Sequence, residues 1–311
     1  MRQKKEKKRR TLWICLAVIA VLGIAGVWFA RSPAFIRLTF GISDTLRDRG
    51  LKTPEDIIRR DNLQYGTDPM QVMDVYYPAG TTEPLPTIVS IHGGGYTYGS
   101  KEVYQYYCMS LAQRGFTVVN FSYRLAPQHK YPAPLEDTNA VMTYVCAHAE
   151  ELFINPEQIF LVGDSAGGQL NAQYSTAVSN PEYAQKLGLE IPAFRLRGTA
   201  LNCGVFETKD LASEAYYFEK KEDLEKLDLN PYLTDAFPPA FVMSSTGDMC
   251  LPFAEPFYQK LLQLGVQAEL HIYGDERNRP PHVFHINIRN ETANRCNEEE
   301  TAFFQRLIAE E

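Results

Sequence analysis

Two glycine-rich turns carry the residues of this 311-residue chain that could do chemistry, His92-Gly93-Gly94-Gly95 and Gly163-Asp164-Ser165-Ala166-Gly167-Gly168. The second has the G-x-S-x-G spacing of a nucleophile elbow, in which a serine on a tight strand-to-helix turn points its hydroxyl into a site. A serine hydroxyl is a weak nucleophile near neutral pH. It needs a base to take its proton and a third group to orient that base. The reaction also needs donors for the negative oxygen that develops on an attacked carbonyl. The N–H groups of Gly93 and Gly94, unobstructed by side chains, and that of Ala166 at a helix start are assigned to this oxyanion hole. A dinucleotide loop does not fit, because Tyr98 stands where G-x-G-x-x-G requires its last glycine, and no G-x-x-x-x-G-K-[ST] occurs.

For an elbow of this type the chain order is serine, acid, histidine. Of the six histidines, His282 and His285 come late, after an expected last strand over residues 267–273. His282, within Pro280-Pro281-His282-Val283-Phe284, is taken as the base, because a loop directly beyond the strand can carry it back over the elbow. His285 stays a competing choice. His92 is read as holding its own loop, and His129, His148 and His271 as surface or packing residues. Asp248 follows an expected strand over 240–245 and the turn Thr246-Gly247, which puts a carboxylate within reach of a histidine on the next loop.

These residues need a scaffold, and the runs before them supply one. Residues 87–91, 159–162 and 199–203 are short, apolar and bounded by turns, the pattern of strands buried on both faces of a parallel sheet. Residues 166–178 read as the helix after the elbow. The expected fold is α/β, a mostly parallel sheet flanked by helices over residues 66–311, which is long enough for one continuous core.

Further residues extend the pattern: Asp74-Val75-Tyr76-Tyr77-Pro78, Gly99, Tyr123-Arg124-Leu125-Ala126-Pro127, Pro132-Ala133, Leu135-Glu136-Asp137, Asn230-Pro231-Tyr232-Leu233 and Pro238-Pro239. With the two glycine motifs, they make the chain resemble the hormone-sensitive-lipase-like esterases of the α/β-hydrolase superfamily over most of its length beyond residue 65. The resemblance implies a small helical cap, a serine carboxylesterase acting on short to medium acyl esters, Asp248 as the acid, and Arg124 paired within the scaffold. Two positions depart from the family: Val283 stands where glycine commonly follows the histidine, and Met249-Cys250 intervene between the acid and Leu251.

Other readings use the same atoms. An acyltransferase or glycan de-O-acetylase would share the acyl-enzyme, a serine peptidase would share the triad, and a non-catalytic binding module would be expected to lose the nucleophile or the base. Tyr96, Tyr98, Tyr104, Tyr106 and Tyr107 around the glycine loop are read either as an aromatic wall or as packing residues. Neither a metal nor an organic cofactor is called for. The five cysteines beyond residue 30 are odd in number and widely spaced, which argues against a disulfide framework and against zinc.

The N-terminus has its own logic. Residues 1–10 form a basic tail, and residues 11–30 carry no charge over about the 20 residues a membrane-crossing helix needs. Positive charge stays cytoplasmic, so the catalytic part is expected outside, on a single-pass anchor in the cell membrane. The alternative is a cleaved signal peptide with Ser32-Pro33-Ala34 at its end, giving a secreted protein. Residues 31–65 are expected to form a helical linker and cap, and 207–234 a second lid. Residues 1–31 hold eight Lys or Arg against one Glu, so the net −7 of the chain leaves −14 on the remainder. Such an acidic body does not seek nucleic acid by charge; the expected partners are a small ester and, through the anchor, a membrane.

Overall fold

The computed structural model describes residues 33–206, 217–218 and 221–310. They divide into two units after Arg49. In the first, helix α1 (Pro33–Asp48) exposes Leu38, Ile42 and Leu46, spaced four residues apart, and pairs Arg47 with Asp44 and Asp48. The expected anchor and basic tail lie outside the described residues. Among the described residues, no helix is long and apolar enough to cross a membrane.

The second unit is built on one eight-stranded sheet. Its strands are β1 (Ile57–Gln64), β2 (Val72–Pro78), β3 (Leu85–Ile91), β4 (Thr117–Phe121), β5 (Ile154–Asp164), β6 (Leu196–Asn202), β7 (Ala240–Ser245) and β8 (Ala268–Tyr273). In space they run β1-β2-β4-β3-β5-β6-β7-β8. The β1–β2 and β2–β4 pairs are antiparallel and every other pair is parallel, as expected. Helices α2 (Lys101–Ala112) and α8 (Glu291–Ala309) cover one face, and α3 (Ala133–Ala147) and α4 (Ala166–Ser179) the other. The apolar runs follow from this two-sided cover: Val89, Val119 and Leu161 pack with α3 and α4, whereas their neighbours Ile88, Val118 and Phe160 pack with α2 and α8.

One expected element is corrected. The helix expected over 31–65 stops at Asp48, and β1 takes its last third. Gly50, at φ +79°, and Pro54 end helical geometry between them. That stretch is an edge strand, whose Asp61, Asn62 and Gln64 face solvent while Ile57 is buried. Arg124 pairs within the scaffold as expected, its guanidinium 2.7 Å from Asp137 and 3.1 Å from Glu136.

Candidate active site

Ser165 sits between β5 and α4 with φ +53° and ψ −119°, a strained conformation for a residue with a side chain. Its surroundings hold that strain in place. The Ser165 N–H donates to the Asn202 carbonyl at the end of β6, at 2.9 Å. A Cβ on Gly163 would lie 2.4 Å from the Gly167 carbonyl oxygen, and one on Gly167 would lie 2.0 Å from that of Ile91, so both positions must be glycine for β5, α4 and β3 to meet here.

The acid and the base arrive on two turns fastened to one another. After β7, Asp248 follows Thr246-Gly247, and Gly247 bridges to Pro281 of the histidine loop. Ser245 Oγ donates to the Pro280 carbonyl at 2.7 Å, and Arg279 donates to the Thr246 carbonyl. His282 Nδ1 then lies 2.6 Å from Asp248 Oδ1, and Nε2 lies 2.9 Å from Ser165 Oγ. These three residues form one unbroken hydrogen-bonded chain across 117 positions of sequence. His285 is 1% exposed and packs at right angles against the Tyr107 ring, whereas both nitrogens of His282 join the chain, so the geometry selects His282.

Asp248 is buried, and burial by itself would raise its pKa. The His282 hydrogen bond and charge, with hydrogen bonds from Ser244 Oγ (2.6 Å) and the Cys250 N–H (2.9 Å), outweigh burial and hold the carboxyl below its ordinary value. The Cys203 thiol is buried beside this carboxylate and donates to Met243 Sδ at 3.9 Å, and burial pushes that thiol well above its usual pKa. Donor atoms of Cys203, Asp248 and His282 lie within 4.8 Å of one another, close enough to suggest a soft metal ion. The carboxylate, however, already accepts from His282, Ser244 and the Cys250 N–H, both His282 nitrogens are bonded, and the thiol is directed to Met243. The cluster therefore satisfies itself by hydrogen bonding.

The glycine loop departs from expectation at one position. Gly93, expected as an oxyanion donor, gives its N–H to Tyr104 Oη at 3.0 Å. Tyr104 in turn donates to Asp164 Oδ2 at 2.8 Å, tying the loop to the elbow. Among the described residues, the Gly94 and Ala166 N–H groups donate to no protein acceptor. His92 holds its loop as expected: Nδ1 lies 2.7 Å from the Gly93 carbonyl, and the ring stacks on Tyr123 at 4.0 Å. Burial lowers its pKa to about 4, the Gly93 bond opposing, so the ring is neutral.

For three of the loop tyrosines the packing alternative holds. Tyr104 is buried on Asp164, Tyr107 is buried on Glu300 at 3.0 Å, and Tyr106 donates to the Leu51 carbonyl. Their helix packs into the core, which is where their ring area is satisfied. Tyr96 stacks on Tyr217 of the lid region at 3.7 Å, while the Tyr217 carbonyl accepts from the Tyr131 N–H. Beyond it, α6 (Lys221–Lys226) leads to buried Leu227. Residues 207–216 of the expected lid lie outside the described residues. Cys108, Cys146, Cys203, Cys250 and Cys296 are free thiols.

Sequence reasoning missed three residues around the site. Asn202, Cys203 and Glu300 carry no motif, and only strand register and the last helix bring them to the elbow.

The chain is similar to known esterases. It is 36% identical to the carboxylesterase NlhH of Mycobacterium tuberculosis over 132 residues, covering 40% of this chain and 41% of that protein. With esterase LipC of the same organism it is 30% identical over 132 residues, 42% of this chain and 33% of the relative. With the acetyl esterase of Salmonella typhi it is 30% identical over 203 residues, 60% of this chain and 62% of the relative. These alignments span less than two thirds of each relative. Esterase B from Lactobacillus rhamnosis has the same fold, with a TM-score of 0.80 and 22% identity over 93% of this chain and 97% of that one. A family model described as the alpha/beta hydrolase fold matches residues 88–286, from β3 through both late histidines. Spanning the glycine loop, the elbow, the acid and the base, that match makes the chain a member of the α/β-hydrolase superfamily, in its hormone-sensitive-lipase-like carboxylesterase family.

Proposed function

We propose that this protein hydrolyses carboxylic esters of short to medium acyl chains through an acyl-enzyme on Ser165. The observation that carries the reading is the hydrogen-bonded chain from Asp248 through His282 to Ser165 Oγ. Ser165 Oγ attacks the ester carbonyl as its proton passes to His282 Nε2. Asp248, accepting from Nδ1, keeps the imidazole in the tautomer whose Nε2 is free to take that proton, and stabilises the imidazolium that results. The N–H groups of Gly94 and Ala166 receive the developing oxyanion, with Gly93 acting instead to hold the loop on Tyr104. Each donor of this kind is worth about 3 to 4 kcal/mol of barrier. The tetrahedral intermediate collapses, His282 gives its proton to the departing alkoxide, and the acyl group stays on Ser165. Water, deprotonated by His282, then attacks the acyl-enzyme and releases the carboxylic acid and the free serine.

The similarity to the Salmonella acetyl esterase supports short acyl groups. The basic tail and the uncharged segment 11–30 support a single-pass anchor with the catalytic unit outside the cytoplasm. A p-nitrophenyl ester series from acetyl to long acyl, run beside peptide anilides and with added alcohol acceptors, tests the activity. Turnover confined to anilides, or transfer products in place of free acid, would replace hydrolysis with one of the other readings. Protease protection of the catalytic unit in intact cells would remove the outward orientation.

A further inference from the structure

Glu300 lies in the middle of α8 and is 0% exposed. No step of the proposed reaction uses it, and no motif marks it. Its carboxyl takes a 2.6 Å hydrogen bond from Asn202 Nδ2 through Oε2 and a 3.0 Å bond from Tyr107 Oη through Oε1. For Asn202 this contact is the one that fixes the side chain, because its other polar atom, Oδ1, has no partner. Asn202 is also the residue whose backbone carbonyl accepts the Ser165 N–H at 2.9 Å. A Cβ on Gly168 would lie 3.2 Å from that carbonyl oxygen, so Asn202 is wedged against the first turn of α4 as well. The next residue, Cys203, takes φ +50°, donates its N–H to the Met243 carbonyl at 2.7 Å and its thiol to Met243 Sδ, and places that sulfur within 4.8 Å of an Asp248 carboxylate oxygen. The dipeptide Asn202-Cys203 thus bonds to the nucleophile through one residue and, through the other, to the strand that leads to the acid.

We infer that Glu300 is a positioning residue: by gripping Asn202 from the last helix, it sets the Asn202-Cys203 dipeptide that holds Ser165 and Asp248 at their working separation. The inference rests on the esterase reading for its kinetic consequence, though not for its structural one. Ser165 occupies a strained backbone conformation, and such a conformation persists only while its neighbours over-determine it. Without Glu300, both polar atoms of the Asn202 side chain are buried and unpaired, and the segment gains a reason to move. A displacement of about 1 Å at a reacting group costs up to about 100-fold in rate.

The test compares Glu300→Met, which keeps length and loses both hydrogen bonds, with Glu300→Gln, which can accept from Asn202 and donate to Tyr107. In the full-length protein, Glu300→Met is expected to lower kcat on p-nitrophenyl acetate by about 10- to 100-fold while KM stays within about twofold. Glu300→Gln should recover most of that loss. Asn202→Ala combined with Glu300→Met should cost little more than either change alone, since they cut one linkage. Backbone hydrogen exchange over residues 160–170 supplies a readout that needs no turnover: the Ser165 amide should exchange faster in Glu300→Met and at its normal rate in Glu300→Gln. Wild-type kcat and unchanged exchange in Glu300→Met would overturn the inference, as would losses of equal size in the Met and Gln variants. Should Glu300→Met fail to fold, Asn202→Ala alone must show the faster Ser165 exchange or the inference fails. Absence of ester turnover in the wild type, with the exchange pattern intact, would overturn the esterase reading and leave the positioning role standing.

Discussion

Two buried carboxyl groups flank the elbow, and the protein treats them in opposite ways. Asp248, on the turn after β7, accepts from an imidazole, a hydroxyl and a backbone N–H, and is held ionised below its ordinary pKa. Glu300, in the middle of α8, accepts from one amide and one phenol, and burial raises its pKa to about 7 despite them. Both side chains are withdrawn from solvent, so burial does not decide which stays charged. The donors that meet each carboxylate do, and the ionisable donor above all. One group is thereby suited to stabilising a developing cation, the other to holding a segment in place.

This contrast can be broken at several points. The baseline is the nucleophile: Ser165→Ala should lower kcat by on the order of 10⁶-fold with an unchanged circular dichroism spectrum. Replacing His282 should cost as much, whereas replacing His285, packed on Tyr107, should cost far less; equal losses would mean the loop is read wrongly. Next comes the carboxylate itself. Asp248→Asn preserves shape and reverses the hydrogen bond to Nδ1, so kcat should fall by about 10⁴-fold. A loss as small as that of Glu300→Gln would erase the distinction between the two acids. Tyr104→Phe removes the Gly93 acceptor and the Asp164 donor together, and about a 10- to 100-fold loss in kcat at constant KM is expected from the looser oxyanion loop.

The smallest effect is thermodynamic. Glu300 binds its proton up to about pH 7 in the folded protein, against an ordinary value of 4.5. The folded state therefore binds more protons than the unfolded one between these values, and stability falls as pH rises through that window. The groups facing Glu300 are Tyr107 and Cys108 of α2, Asn202 of β6 and Cys296 of its own helix, with the Arg114 charge lowering its pKa from farther off. Glu300→Gln cannot ionise, so its melting temperature should exceed that of the wild type by a few degrees above pH 7 and lose the advantage near pH 4.5. Parallel melting curves across that range would show that the carboxyl is not held neutral.

Much of this site can be read along the chain, because its reacting groups sit where local geometry is constrained. Ser165 needs glycines on either side for β5 and α4 to meet, and Asp248 needs a turn directly after a strand, so both leave a local pattern. The choice between His282 and His285 does not, since both occupy the same loop. It is made by Pro281 bridging to Gly247 and by the Tyr107 ring taking His285. Val283 shows the same limit: its φ of +58° explains why a glycine suits that position, yet nothing in its neighbours along the chain gives that angle away. Residues 57–64 fall inside the expected helical linker because an edge strand is decided by its antiparallel pairing with β2, a contact between separate stretches of chain.

The sequence by itself determined the parallel sheet, the candidate nucleophile, the candidate acid and the glycine-rich loop beside them, since each rests on interactions within a few residues of chain. Only the tertiary structure decided that Gly93 fastens the loop to Tyr104, that His282 meets Ser165, and that Asn202, Cys203 and Glu300 support the elbow. Those contacts join residues from 11 to 117 positions apart. No periodicity or spacing encodes them, because strand order and register alone set which distant side chains share a few cubic ångströms.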